Sequence, residues 1–246
     1  MKELIEICLE DAESVIRAEK GGADRVELCG DLFEGGTTPT LGTFLTARRH
    51  TSIKINVMIR PRGGDFAYSD IEFETMLEDV RIFKENGADG IVFGVLNGDG
   101  TIDRARSEKI IEAARPLPVT FHRAFDMTKD LFSSLETLID MGVDRVLTSG
   151  GEPTVMEGIL NLKALVEKAG DRIIVMPGCG INEKNFSYLK ETVKAKEYHM
   201  YLPVEEESRM EWRPGHIYMG GMLRQPEFFI QHTSSDRVRT IVGDKR

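Results

Sequence analysis

Cysteine is scarce in this chain: three in 246 residues, at positions 8, 29 and 179. Three thiols at that spacing make neither a disulfide framework nor a CxxC metal signature, and they fit a reducing compartment. Positive charge is also in deficit, with 32 Lys and Arg against 41 Asp and Glu and a net charge of −9. Duplex nucleic acid and anionic membranes both need clustered cations, so neither is an expected partner. No apolar run approaches the roughly 18 residues of a membrane span, and the N-terminus, acidic at Glu3 and Glu6, lacks an apolar core of signal length. The expected location is cytoplasmic. No linker or break in composition divides the chain, so one domain over 1–246 is expected.

What is present is a repeat. Gly22-Ala23-Asp24-Arg25-Val26, Gly87-Ala88-Asp89-Gly90-Ile91 and Gly142-Val143-Asp144-Arg145-Val146 each follow an amphipathic segment and open a short apolar run. The copies begin 65 and 55 residues apart, and each interval has room for two βα units. The Gly suits a left-handed helix end, the next two residues make a turn, and the β-branched residues start a buried parallel strand. Eight strands are predicted, at Leu4 to Cys8, Arg25 to Cys29, Lys54 to Arg60, Gly90 to Phe93, Pro118 to His122, Arg145 to Thr148, Ile173 to Met176 and Glu197 to Met200. Helical spacing falls between them, in Ala12, Val15 and Ile16, in Phe73, Met76, Val80 and Phe83, and near 103–115, 130–140, 154–169 and 183–194.

The expected fold class is therefore α/β, a (β/α)8 TIM barrel with its core at about 3–200; the chain's length is near the roughly 250 residues usual for that fold. Residues 202–232, with Pro203, Pro214 and Pro226, read as a long irregular insertion. Ser235 to Asp244 read as a short closing helix capped by Ser235 or Asp236. This extension, 201–246, is expected to wrap the barrel or to form a subunit contact, the plainer alternative being surface padding.

Strand parity brings chemistry in, because alternate barrel residues point inward and those at C-terminal strand ends build the active face. Glu6 with Cys8, Arg25 with Glu27 and Cys29, Asn56 with Met58 and Arg60, Thr120 with His122, and Glu197 with His199 share inward sides. The lumen is thus expected to hold Glu6, Glu27, Glu197, Arg60 and His122. Buried charges persist where they pair, either as a structural ion-pair layer or at a functional site. The rim loops are polar: Arg60-Pro61-Arg62-Gly63-Gly64-Asp65, His122-Arg123-Ala124-Phe125-Asp126, Ser149-Gly150-Gly151 and Gly178-Cys179-Gly180. Two arginines beside a glycine pair can clamp a carboxylate or phosphate while backbone N–H groups complete the cradle.

An enzyme reading follows. Glu27, Arg60, His122 and Asp126 are its catalytic candidates, His122 as general acid or base. Arg62, Asp65, Arg123, Ser149, Gly150, Gly151, Gly178, Gly180 and His199 are candidate binders of an anionic ligand, phosphorylated or not. The alternative readings are tight turns for the glycines and a salt-bridged loop for the charged pairs. Cys8 and Cys29 end neighbouring strands about 4.8 Å apart, so two thiolates there can share one ion, Cu(I) or its competitor Zn(II); small buried Cys as core filler is the alternative.

The stretches Arg60 to Asp70, Val119 to Met127, Glu34 to Pro39 and Arg145 to Gly150 resemble the signature segments of the CutC copper homeostasis family. The similarity runs from about residue 4 to about 200. The resemblance implies a cytoplasmic βα barrel, a homo-oligomer such as a dimer or tetramer, and copper handling, with Cys8 and Cys29 as the Cu(I) ligands. Cys179 stands where the family pattern has Gly or Ala and inherits no ligand role. Met200 and Tyr201 follow His199 where the family continues with Ser. Two functions stay open: a Cu(I)-binding homeostasis factor, or a lyase, isomerase or hydrolase acting on a small anion.

Overall fold

The computed structural model describes residues 3–220, 223 and 227–243. Eight parallel strands form one sheet: β1 (Leu4–Leu9), β2 (Arg25–Leu28), β3 (Lys54–Met58), β4 (Gly90–Phe93), β5 (Val119–Phe121), β6 (Arg145–Thr148), β7 (Ile174–Pro177) and β8 (Glu197–Met200). They pair in chain order, and β8 returns to β1 with Leu4 opposite Glu197 and Glu6 opposite His199. Between β7 and β8 there is one bridge, Gly178 to His199. The (β/α)8 barrel is nearly closed, with that seam as its weak point.

Helices α1 (Ala12–Gly21), α2 (Leu41–His50), α3 (Asp70–Glu85), α4 (Arg104–Ala114), α5 (Leu131–Asp140), α6 (Ile159–Ala169) and α7 (Phe186–Val193) separate the strands. Side-chain oxygens cap several N-termini, as Asp11 does for Ser14 N at 2.8 Å and Asp130 for Phe132 N at 2.9 Å. Ser69 and Glu72 form a reciprocal capping box on α3. The outward strand residues, Val26, Leu28, Ile55, Ile91 and Phe121 among them, are fully buried against these helices and form the main core.

The repeat has a second function beyond its turn. Gly22, Gly87 and Gly142 all have left-handed φ, at 92°, 89° and 71°, which a residue with a Cβ adopts only at a cost. The Asp two residues on then accepts the N–H that opens the preceding strand: Asp24 from Ile5 at 3.0 Å, Asp89 from Ile55 at 2.9 Å and Asp144 from Val119 at 2.8 Å. A fourth, degenerate copy precedes β8. There Lys194 takes the left-handed position (φ 56°), and Ala195 N–H donates to Tyr198 Oη at 3.1 Å.

The C-terminal segment departs from expectation. Within the insertion predicted to be irregular, β9 (Pro203–Glu207) and β10 (Phe229–Thr233) pair as an antiparallel hairpin. The last helix, α8 (Ser235–Val242), is capped by Ser234, whose Oγ accepts from Arg237 N at 3.3 Å, instead of by Ser235 or Asp236. It lies against α1 so closely that a Cβ at Gly21 would sit 2.6 Å from Val238 Cβ. The same helix is tied to the barrel by Arg237 to Glu183 at 2.6 Å. Trp212, Met219, Phe229 and Ile230 stay exposed on it.

Inside the barrel, charge replaces the usual aliphatic layers. The Arg25 guanidinium bonds Glu6 and, at 2.6 Å, Glu197, which also holds Arg145 at 2.6 and 3.2 Å. Asn56 donates to Glu6 at 3.2 Å, and Arg145 to Thr120 at 3.2 Å. Burial would raise the Glu197 carboxyl, but Arg145 and Arg25 hold it below its usual range. Removing the acid leaves the buried Arg145 without a carboxylate and Arg25 with Glu6 alone, so Glu197→Leu is expected to lower stability by about 3–5 kcal/mol. Urea unfolding checks this; a loss below about 1 kcal/mol would mean that the layer does not hold the barrel together.

Candidate functional site

Above the ionic layer the inward residues of β1, β2 and β8 converge. His199 Nδ1 donates to Glu6 Oε1 at 2.8 Å, which leaves Nε2 turned toward Glu27 Oε2 at 3.6 Å. Cys8, Glu27 and His199 each offer one ligand atom, and these atoms all lie within 4.8 Å of one another. All three residues are buried. Cys29 backs the cluster with its thiol donating to Glu27 Oε2 at 3.6 Å. It is fully buried, and a Cβ at Gly36 would come within 3.2 Å of its sulfur. Cys8 lines the mouth cavity, whereas Cys29 sits behind the wall.

The charges in this cluster are interdependent. The Cys8 thiol is drawn down to about 5, first by its hydrogen-bonding contact with Cys29, with burial opposing and His199 adding to the effect. Burial raises Glu27 well above the usual carboxylate range; His199 pulls it back, and Cys8 and Glu6 push it further up. Burial acts to lower His199, but Glu27, Cys8 and Glu6 outweigh it and hold the ring well above its ordinary value. Glu6 is the permanent anion here, since Arg25, His199 and Arg145 together overcome its burial.

The cavity itself, about 270 Å³, has Cys8, Glu27 and His199 on its lining together with Met58, Arg60 and His122. His122 packs against Phe66 with ring centroids 5.1 Å apart and planes tilted by 52°, and its Nδ1 accepts from Ala124 N–H at 3.0 Å. That bond fixes the proton on Nε2, a buried atom with no partner. Burial and then the nearby Arg60 push the ring down to about 3. The expected acid or base is therefore a neutral hydrogen-bond donor. Arg60 gives Nη1 to the carbonyls of Glu34 at 2.7 Å and Gly36 at 3.0 Å, and Nη2 to that of Gly64 at 2.9 Å. A larger, more open groove between α3 and α4 is walled by Glu78, Arg81 and Glu85, whose charges satisfy one another.

The rim does not form the expected anion cradle. Asp126 already occupies it, accepting from Ser149 N at 3.0 Å, Gly151 N at 3.0 Å, Ser149 Oγ at 3.0 Å and Arg123 Nε at 2.8 Å. It is thus committed to the loop after β6 and is no partner for His122. Arg62 pairs with Glu72 at 2.6 Å and Asp65 at 3.1 Å and does not line the cavity, nor does Asp65. Gly150 and Gly178 are close-packing glycines: a Cβ would meet Gly158 O at 2.5 Å and Leu147 Cδ1 at 2.5 Å. Gly180 turns the chain at φ 84°, beside Cys179 at φ 85°, whose thiol donates to Pro153 O at 3.2 Å away from the cluster. A residue without side-chain bulk is easiest at such an angle, which explains why Cys179 is unusual there.

Sequence parity identifies every residue of the cluster, and closing strand 8 onto strand 1 puts His199 in the quadrant of Cys8 and Cys29; by the same rule Cys179 is expected there, whereas its thiol turns to Pro153 O. His199 belongs with the thiol and carboxyl donors instead of with an anion clamp, and Arg145, whose place in the repeat matches that of Arg25, goes unremarked in the sequence although it holds Glu197.

These features define a βα-barrel protein with a buried thiol, imidazole and carboxyl cluster opening on a small cavity at the strand C-termini. The sequence profile of the CutC family matches residues 3–202. The copper homeostasis protein cutC homolog of Homo sapiens is 46% identical over 238 residues, 97% of this chain and 87% of that one. The family protein CutC of Parabacteroides distasonis is 46% identical over 243 residues, 98% of this chain and 100% of that protein. A Streptococcus agalactiae crystal structure assigned to CutC superposes with a TM-score of 0.76 at 38% identity, covering 80% of this chain and 97% of that one. The chain belongs to the CutC family. Phosphoribosylanthranilate isomerase of Thermotoga maritima, at 12% identity and a TM-score of 0.55 over 98% of this chain and 96% of that one, shares the fold alone. Among the described residues no helix is long and apolar enough to cross a membrane.

The buried, neutral His122 has a measurable consequence. In the unfolded chain a histidine binds a proton below about pH 6.5, whereas the folded ring resists it down to about 3. Its contribution to stability is therefore complete above pH 6.5 and declines as the pH falls toward 3, by at most about 1.4 kcal/mol per pH unit. Urea unfolding of wild type and His122→Gln between pH 7 and 5 should give a steeper acid loss in wild type. Parallel curves would show that the ring is not held neutral.

Proposed function

We propose that the protein binds Cu(I) as its cargo at the barrel mouth, through Cys8 and His199 with Cys29 as a further sulfur donor, and serves copper homeostasis in the cytoplasm. The observation that carries this reading is the clustering of the Cys8, Glu27 and His199 donor atoms within 4.8 Å. The donor set suits a soft monovalent ion: one thiol already pulled down to about 5, an imidazole, and beside them a second thiol that its bond with Cys8 and burial hold well above the usual range, to be deprotonated on binding. Glu6 accepts from Nδ1 of His199 and leaves Nε2 for a metal, the arrangement in which a carboxylate sets the tautomer of a ligating histidine. Glu27 is a poor ligand for Cu(I) as a hard oxygen donor, and its bond to Cys29 makes it a positioning residue.

Zn(II), the competing ion, would take the Glu27 carboxylate as a fourth donor beside two sulfurs and one nitrogen, and the sulfur-rich side of the cluster is what favours the softer Cu(I). The names of the human and Streptococcus agalactiae relatives support a role in copper homeostasis. The working assembly in this reading is a homo-oligomer, with the exposed Trp212 and Met219 of the extension against a second copy.

Titration of Cu(I) against a competing chelator tests the site. Cys8→Ser is expected to abolish binding, and Glu6→Gln, which changes the acceptor of His199 Nδ1 and removes a charge facing Arg25, to weaken it about 10- to 100-fold. Unchanged affinity in Cys8→Ser would remove the proposal.

A further inference from the structure

The copper reading leaves part of the mouth unexplained. His122 Nε2 is a buried donor without a partner, on a side chain that lines the cavity. Its protonation follows from geometry alone, because Ala124 N–H at 3.0 Å occupies Nδ1 as acceptor. A buried N–H left unsatisfied costs about 1–3 kcal/mol, so such a group calls for an acceptor.

Beside it, the buried Arg60 donates to three backbone carbonyls and lies over the face of Phe66 at 5.1 Å. Among the described residues no carboxylate forms an ion pair with it, in contrast to Arg25, Arg145 and Arg123. The other acids on the cavity lining do not neutralise it: Asp126 is paired with Arg123, Glu27 faces His199 and Cys29, and the Glu34 carboxylate lies toward Gly63 at the rim. Met58, Phe66 and Leu147 supply apolar wall. A largely apolar pocket with few convergent polar groups is the usual form of a small-molecule site, and about 270 Å³ places this one at the small end of the range.

We infer that this cavity binds a small organic anion, a carboxylate on a short apolar body, with one oxygen accepting from His122 Nε2 and its negative charge facing Arg60. Phosphate is the wrong ligand for this geometry, since it needs many donors and the Ser149 and Gly151 amides that could supply them are spent on Asp126. The inference uses neither thiol and stands or falls separately from copper binding.

The test is NMR of metal-free protein with 15N-labelled histidine, held under a Cu(I) chelator and titrated with butyrate, 2-oxobutyrate, neutral butyramide and inorganic phosphate. The carboxylates should shift the His122 Nε2 resonance saturably and move Nδ1 less, with butyramide and phosphate weaker by about tenfold or more. His122→Phe, which keeps a ring of similar size, should weaken carboxylate binding about 10- to 100-fold by calorimetry. If that variant does not fold, the wild-type nitrogen shift decides. An unmoved Nε2 signal at saturating carboxylate, tighter binding of phosphate or butyramide, or full affinity in folded His122→Phe would each overturn the inference.

Discussion

The site depends on Arg25, which lies between Glu6 and Glu197 in the barrel lumen. These three residues come from β2, β1 and β8, so the ion pairs join the strands that close the ring, and Arg145 extends the layer to β6. Burying such charges is unfavourable unless each is paired and hydrogen-bonded. Here every member has partners, and the layer has a use above its own level. Because Arg25 keeps Glu6 anionic, Glu6 can hold Nδ1 of His199 as a donor, and that sets the face His199 turns to Cys8 and Glu27. The ionic floor and the thiol cluster are one electrostatic unit.

The cavity is asymmetric as a result. On its thiol and imidazole side the charges of Cys8, Glu27 and His199 act on one another. The side formed by His122 and Arg60 is fixed by backbone: one amide holds the imidazole and three carbonyls hold the guanidinium. Between them the glycine loop after β6 closes on Asp126. An internal carboxylate thus takes the place of an external anion, which leaves only the fixed donor of His122 and the unpaired charge of Arg60 to meet a ligand.

Much of this is legible in the sequence because it is periodic. The glycine and aspartate repeat announces the strand starts, and parity places Glu6, Glu27, Arg60, His122 and His199 inward. Other features rest on contacts between distant residues, which periodicity does not encode. Helix α2 is obscured because Phe44 and Ala47 alone are buried on it, among Gly42 and threonines of modest helix propensity. The hairpin pairs Pro203 with Thr233 across a long connection. Asp126 is near His122 in sequence, yet its bonds run to Thr148, Ser149 and Gly151, so proximity along the chain misassigns it. The pairing of Arg145 with Glu197 likewise appears only once the ring is closed.

The central claim is that sulfur and imidazole belong to one centre whose geometry the buried acid sets. X-ray absorption spectroscopy of the Cu(I)-loaded wild-type protein tests it most directly. The account predicts a coordination shell containing both sulfur and imidazole scattering, with the imidazole contribution diminished in Glu6→Gln. A shell of oxygen donors, or of sulfur with no imidazole signature, would contradict it.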